Sequence, residues 1–151
     1  MRKHLLSILF LLTVGLTQAQ DQKVLKALDA KAEFYGQIAH QIWSKPELGY
    51  LETESSALLQ KTLQDAGFKV AAGVADIPTA FVAEYGSGKP VIGIMAEFDA
   101  LPGVSQDAVP FRRAIVEGGA GHACGHHLFG TASVAAGIAV KDWMQQNKIT
   151  G

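Results

Sequence analysis

The sequence predicts an α/β sandwich, on three observations. Apolar residues recur at three- and four-residue steps along residues 21–43 and again along 53–66, the signature of helices with one buried stripe. Three short runs of β character follow: "FKVAAG" (68–73), "TAFVAEYG" (79–86) and "PVIGIMAEF" (90–98). A further long apolar segment from about Leu128 to Met144 then supplies another helix, so helices flank a sheet.

In the first helix the stripe consists of Val24, Leu25, Leu28, Ala32, Tyr35, Ile38, Ala39 and Ile42. Pro46 ends it, because proline lacks an amide hydrogen and biases Lys45 away from helical angles. The second helix turns Ala57, Leu58, Leu59, Thr62 and Leu63 inward, and Gly67 closes it. The spacing predicts a hairpin between the second and third runs, joined by "GSGK". The third run is apolar at nearly every position and reads as a strand covered on both faces. Residues 99–121 form the longest irregular stretch, and a loop of that length inside a domain points to function. Trp43 and Trp143 fall on helical stripes as packing residues.

Ahead of all this, Arg2-Lys3-His4, the apolar run 5–16 and Thr17-Gln18-Ala19 have the order of a secretory signal peptide, here 1–19. The apolar run falls short of the roughly 20 residues that span a bilayer, so no stable membrane insertion is expected. Export to the periplasm or medium follows as an expectation. With 13 Lys and Arg against 14 Asp and Glu, and no basic stripe, nothing calls for nucleic acid. The single cysteine excludes a disulfide framework within the chain.

The densest chemistry lies in "EGGAGHACGHHLFGTA" (117–132), where His122, Cys124, His126 and His127 fall within six residues. Spacing by two puts His122, Cys124 and His126 on one side of an extended segment, just before a helix whose positive end favours a thiolate. Thiolate and neutral imidazole make a zinc ligand set. A buried apolar cysteine and a Cys/His nucleophile pair are the alternatives; the clustering favours metal. Glu97 and Asp99, two residues apart at the end of the third run, share a strand face where ligands of α/β sheets gather. Arg112-Arg113 could hold a substrate carboxylate, although paired loop arginines are usually solvated. No phosphate-binding loop, nucleophile elbow or dinucleotide fingerprint is present.

Three ordered segments carry a resemblance: "WSKPELGYLETESSALL" (43–59), "IPTAFVAEYGSGKPVIGIMAEFDALPGVSQ" (77–106) and "GGAGHACGHHLFGTA" (118–132). Together they resemble the metal-dependent amidohydrolases and carboxypeptidases that include aminoacylases and hippurate hydrolases, and most resemble the aminobenzoyl-glutamate hydrolase branch. The resemblance implies that 20–151 is the N-terminal portion of a zinc-exopeptidase-like α/β/α sandwich catalytic domain, without the smaller lid and dimerisation domain. It implies two divalent metal ions, Zn or Mn, a small-molecule N-acyl amino acid substrate, and a homodimer in the full-length form. Cys124 and His126 match metal ligands, and Asp99 matches the aspartate that supports the metal centre as the catalytic residue of this segment. Glu97 stands where other branches use a metal-binding histidine or an aspartate. His127 departs from the Asp or Asn usual there, and His122 has no assigned role. The general base belongs to an acidic pair downstream of the residues matched, so the 151-residue chain is expected to be incomplete and inactive. An exported metal-binding module without catalysis and a cysteine hydrolase are the rival functions.

Overall fold

The computed structural model describes residues 22–151. Residues 1–19, where a signal peptide is expected, lie outside the described residues. Of the unit spanning Met1–Ala32, the described part is helical over 22–29 and turns at Ala30 and Lys31. The single helix expected over 21–43 is thus two, and no proline or glycine marks the break.

The second unit, Glu33–Gly151, mixes helices with a small antiparallel sheet and is of the α/β class. Its elements are α1 (Ala32–Ser44), α2 (Thr53–Asp65), β1 (Lys69–Ala72), β2 (Phe81–Glu84) and α3 (His126–Asn147), with a 3-10 turn at Val74–Asp76. Helix α1 ends two residues before Pro46, where the missing amide hydrogen stops it. Helix α2 ends as the sequence requires: Gly67 takes φ 89, its amide donates to the carbonyl of Gln64, and the Phe68 amide donates to that of Leu63.

The start of α2 is held from a distance. Its own N-cap position, Glu52, makes no capping bond. Instead the Glu47 carboxylate accepts from the amides of Glu54 (2.9 Å) and Ser55 (2.8 Å) and from the Ser55 hydroxyl (2.7 Å). Burial works to raise the pKa of Glu47, but these three bonds together with nearby Lys45 outweigh it and hold the carboxyl below its ordinary range. Glu52 turns inward, where the Thr79 hydroxyl donates to it, and the Ser56 hydroxyl donates to the Thr79 carbonyl at 2.6 Å.

Ile38 and Ile42 of α1, Leu59 and Leu63 of α2, and Val134 and Ile138 of α3 form the buried core. Each such side chain removed from water contributes about 1.5–3 kcal/mol. Strand alternation places Val70 of β1 and Phe81 and Ala83 of β2 against that core, whereas Val82 points outward. In the register, Val70 lies opposite Ala83 and Ala72 opposite Phe81.

Two expectations about the sheet fail. Run 79–86 pairs with 68–73, not with 90–98, and 90–98 forms no strand among the described residues. Nor is it covered on both faces: Val91, Ile92 and Met95 are 84%, 76% and 79% exposed. An apolar run becomes an inner strand only where neighbours pair along both edges, and none does so here among the described residues. The segment lies along α3 instead. The Ser133 hydroxyl donates to the Met95 carbonyl at 2.7 Å, and a Cβ on Gly130 would stand 2.9 Å from the Glu97 carbonyl oxygen and 3.0 Å from the Phe98 Cβ.

Gly130→Ala is expected to push residues 97–98 off α3 and cost about 1–3 kcal/mol, the range for overpacking, read as a lowered urea midpoint at unchanged slope. Glu47→Ala should cost about 1 kcal/mol, as for loss of a helix cap. Because the folded pKa of Glu47 is lowered, its stabilisation is complete above the ordinary value of 4.5 and fades as pH falls through the folded value. Glu47→Gln should therefore flatten the acid limb of the stability profile, as followed by circular dichroism.

Candidate metal centre

Helix α3 begins earlier than the apolar periodicity indicates, at His126, not near Leu128. Residues 123–124 form a turn and Gly125 takes φ 81, a left-handed conformation glycine adopts without strain. The amides of Leu128 and Phe129 donate to the Gly125 carbonyl and start the helix there. His122, Cys124 and His126 therefore do not line one side of an extended segment, because a turn and a helix start intervene.

The long stretch 99–121 is closed at its ends. Leu101 and Gly121 exchange amide-to-carbonyl bonds, both 3.0 Å, and the Ser105 amide donates to Gly119 at 2.9 Å. The Ala100 amide donates to the Glu47 carbonyl at 2.7 Å, so the residue that caps α2 through its side chain anchors the end of this segment through its backbone. These bonds bring Asp99 to the first turn of α3. Arg113 is paired with Asp107 within the same loop.

There two carboxylates meet one imidazole. His126 Nδ1 lies 2.8 Å from Asp99 Oδ1, and Nε2 lies 3.0 Å from Glu97 Oε2. The ring is largely enclosed, with its side chain 17% exposed, while that of Glu97 is 53% exposed. The expectation that Glu97 and Asp99 share a strand face fails, yet both reach the same ring from opposite nitrogens. Carboxylates only accept, so Asp99 takes the hydrogen of Nδ1, and a cation at Nε2 would satisfy Glu97.

His122 and His127 stand beside this triplet, with ring centroids 5.0 Å apart. His122 Nε2 lies 3.2 Å from the Ile42 carbonyl near the end of α1, a placement with no signal in the sequence. Burial lowers the pKa of both rings; on His122 the contact with the Ile42 carbonyl and the charge of Asp99 oppose it without overcoming it, and on His127 nearby His122 reinforces it. The thiol of Cys124 is exposed.

Sulfur, imidazole and carboxylate donors suit zinc or manganese in their chemistry. The geometry goes part of the way: Asp99 holds Nδ1, which leaves Nε2 as the donor, with Glu97 facing it. Among the described residues no group of three or more His, Cys, Asp or Glu side chains is arranged to hold a metal ion. No helix among them is long and apolar enough to cross a membrane.

No family model matches the chain. Among curated proteins it is 46% identical over 121 residues to one of the subunits of the p-aminobenzoyl-glutamate hydrolase of Escherichia coli K12, covering 80% of this chain and 25% of that protein. It is 32% identical to hippurate hydrolase of Campylobacter jejuni over 66% of this chain and 25% of the relative. With human Xaa-Arg dipeptidase the identity is 30% over 77% of this chain and 26% of the relative. The chain thus spans about a quarter of the length of these relatives. Closure of a long loop onto a Gly-His-x-Cys-Gly-His segment, together with identity across most of the chain to several such hydrolases, shows that the chain belongs to the amidohydrolase and carboxypeptidase family.

Proposed function

We propose that this chain supplies part of a metal-dependent active site that hydrolyses the amide bond of N-acyl amino acids or aminobenzoyl-glutamate-like substrates. The observation that carries the reading is His126 held between Asp99 and Glu97, at 2.8 and 3.0 Å. Cys124 and His126 would hold the ions, Zn or Mn, which when bound polarise the substrate carbonyl and acidify water. Asp99 works through His126 as a positioning residue: by accepting from Nδ1 it fixes the tautomer and ring plane and turns the Nε2 lone pair outward. Glu97, half-exposed at that nitrogen, contributes negative charge where a cation is to sit. Gly125 sets the exposed Cys124 thiol beside the start of α3.

The whole activity draws on sequence that the relatives have and the matched quarter does not cover. The 151-residue chain alone therefore binds zinc without turning over p-aminobenzoyl-glutamate. The Escherichia coli relative is named as a subunit, and so as one component of an assembly. By that likeness the whole protein works beside a different polypeptide, in place of the homodimer expected from the family. Export through residues 1–19, to periplasm or medium, completes the reading.

A chimera tests it, with this chain replacing the matching quarter of the Escherichia coli relative. Hydrolysis of p-aminobenzoyl-glutamate should be lost on chelation and restored by zinc or manganese. Asp99→Asn should reduce metal affinity or activity by about 10–100-fold, the cost of losing a ligand's supporting hydrogen bond. Activity that survives chelation and is abolished by iodoacetamide would replace this reading with a cysteine hydrolase.

A further inference from the structure

Two imidazoles next to the His126 triplet take no part in it. His122 and His127 each present a buried Nδ1 that has no hydrogen-bond partner. On His122 the assignment of the proton follows from its neighbour: Nε2 faces the Ile42 carbonyl at 3.2 Å, a carbonyl only accepts, and so Nε2 carries the hydrogen while Nδ1 holds a lone pair. A buried polar atom left unpaired is destabilising, and folds seldom leave two in adjoining rings. These rings are adjoining, with centroids 5.0 Å apart and planes tilted by 53°.

What could satisfy both atoms is limited by their chemistry. An anion would find no donor at Nδ1 of His122. A hard cation such as calcium or magnesium requires oxygen ligands. Neutral imidazole nitrogen is the donor for borderline transition metals.

We propose that His122 and His127 form a second cation site, distinct from Asp99, His126 and Glu97, in which their Nδ1 atoms ligate one borderline transition-metal ion of the zinc class. The site stands on the two orphaned nitrogens and needs no metal at His126. It gives His127 a function of its own at the head of α3. Its ion lies beside the proposed catalytic centre without sharing a ligand with it.

The test uses the 151-residue chain and zinc itself. In a Cys124→Ala/His126→Asn background, which removes the proposed ligands of the first centre, isothermal titration should still find one zinc per chain. Adding His127→Asn to that background should weaken this binding tenfold or more. In 15N spectra of labelled histidine, zinc should shift Nδ1 of His122 while its Nε2 proton is retained. Far-UV circular dichroism confirms that each variant is folded, and His127→Gln replaces any that is not. Loss of all zinc binding in the Cys124/His126 variant would overturn the second site and leave the first standing. Unchanged affinity on replacing His127, with the fold intact, would overturn it equally.

Discussion

The hydrogen bond between Asp99 and His126 is the contact on which the candidate centre depends. It ties the end of an irregular apolar segment to the first turn of α3 across 27 positions of sequence. Charge on the carboxylate strengthens it and the enclosure of the ring shields it from water. Nothing local in the chain would hold Asp99 there. The work falls to the Leu101–Gly121 exchange and to the Ala100 amide on the Glu47 carbonyl, which fix the backbone beside Asp99 so that its side chain reaches the imidazole.

The core serves the same geometry. Leu59 is fully buried at the meeting of α2 and α3, and its Cδ1 would stand 3.3 Å from a Cβ on Gly130. The missing side chain at 130 lets backbone 97–98 pass close to α3, so Glu97 reaches Nε2 from the other side of the ring. Packing thus decides where both carboxylates arrive, and the electrostatics of the site follow from that. Glu47 joins the two: its carboxylate starts α2, and its carbonyl anchors the segment that carries Asp99.

Much of this is legible in residue order. Helix α2 follows from its stripe and from Gly67, since 3.6-residue periodicity and a left-handed cap are local properties. Pro46 and the end of α1 agree for the same reason. The segment 90–98 departs from expectation because periodicity cannot separate an inner strand from an apolar run lying on a helix; pairing decides, and pairing is not local. The cap from Glu47, eight residues before Ser55, and the contact of His122 with Ile42, 80 positions away, carry no sequence signal at all. At the site, Asp99 and His126 come from matched motifs, and the structure brings them together. The approach of Glu97 to Nε2 depends on tertiary packing and is not readable in advance, and neither are the orphaned nitrogens of His122 and His127.

In the proposed centre, Asp99 holds the Nδ1 proton of His126 so that Nε2 is the nitrogen that would face a metal. Nitrogen-15 spectra of histidine-labelled protein, recorded as zinc is added, address this directly. The His126 Nδ1 proton should remain, coupled to Asp99 and lost in Asp99→Asn, while the Nε2 resonance moves on zinc addition. A zinc-dependent shift at Nδ1, or no response of His126 at all, would contradict it.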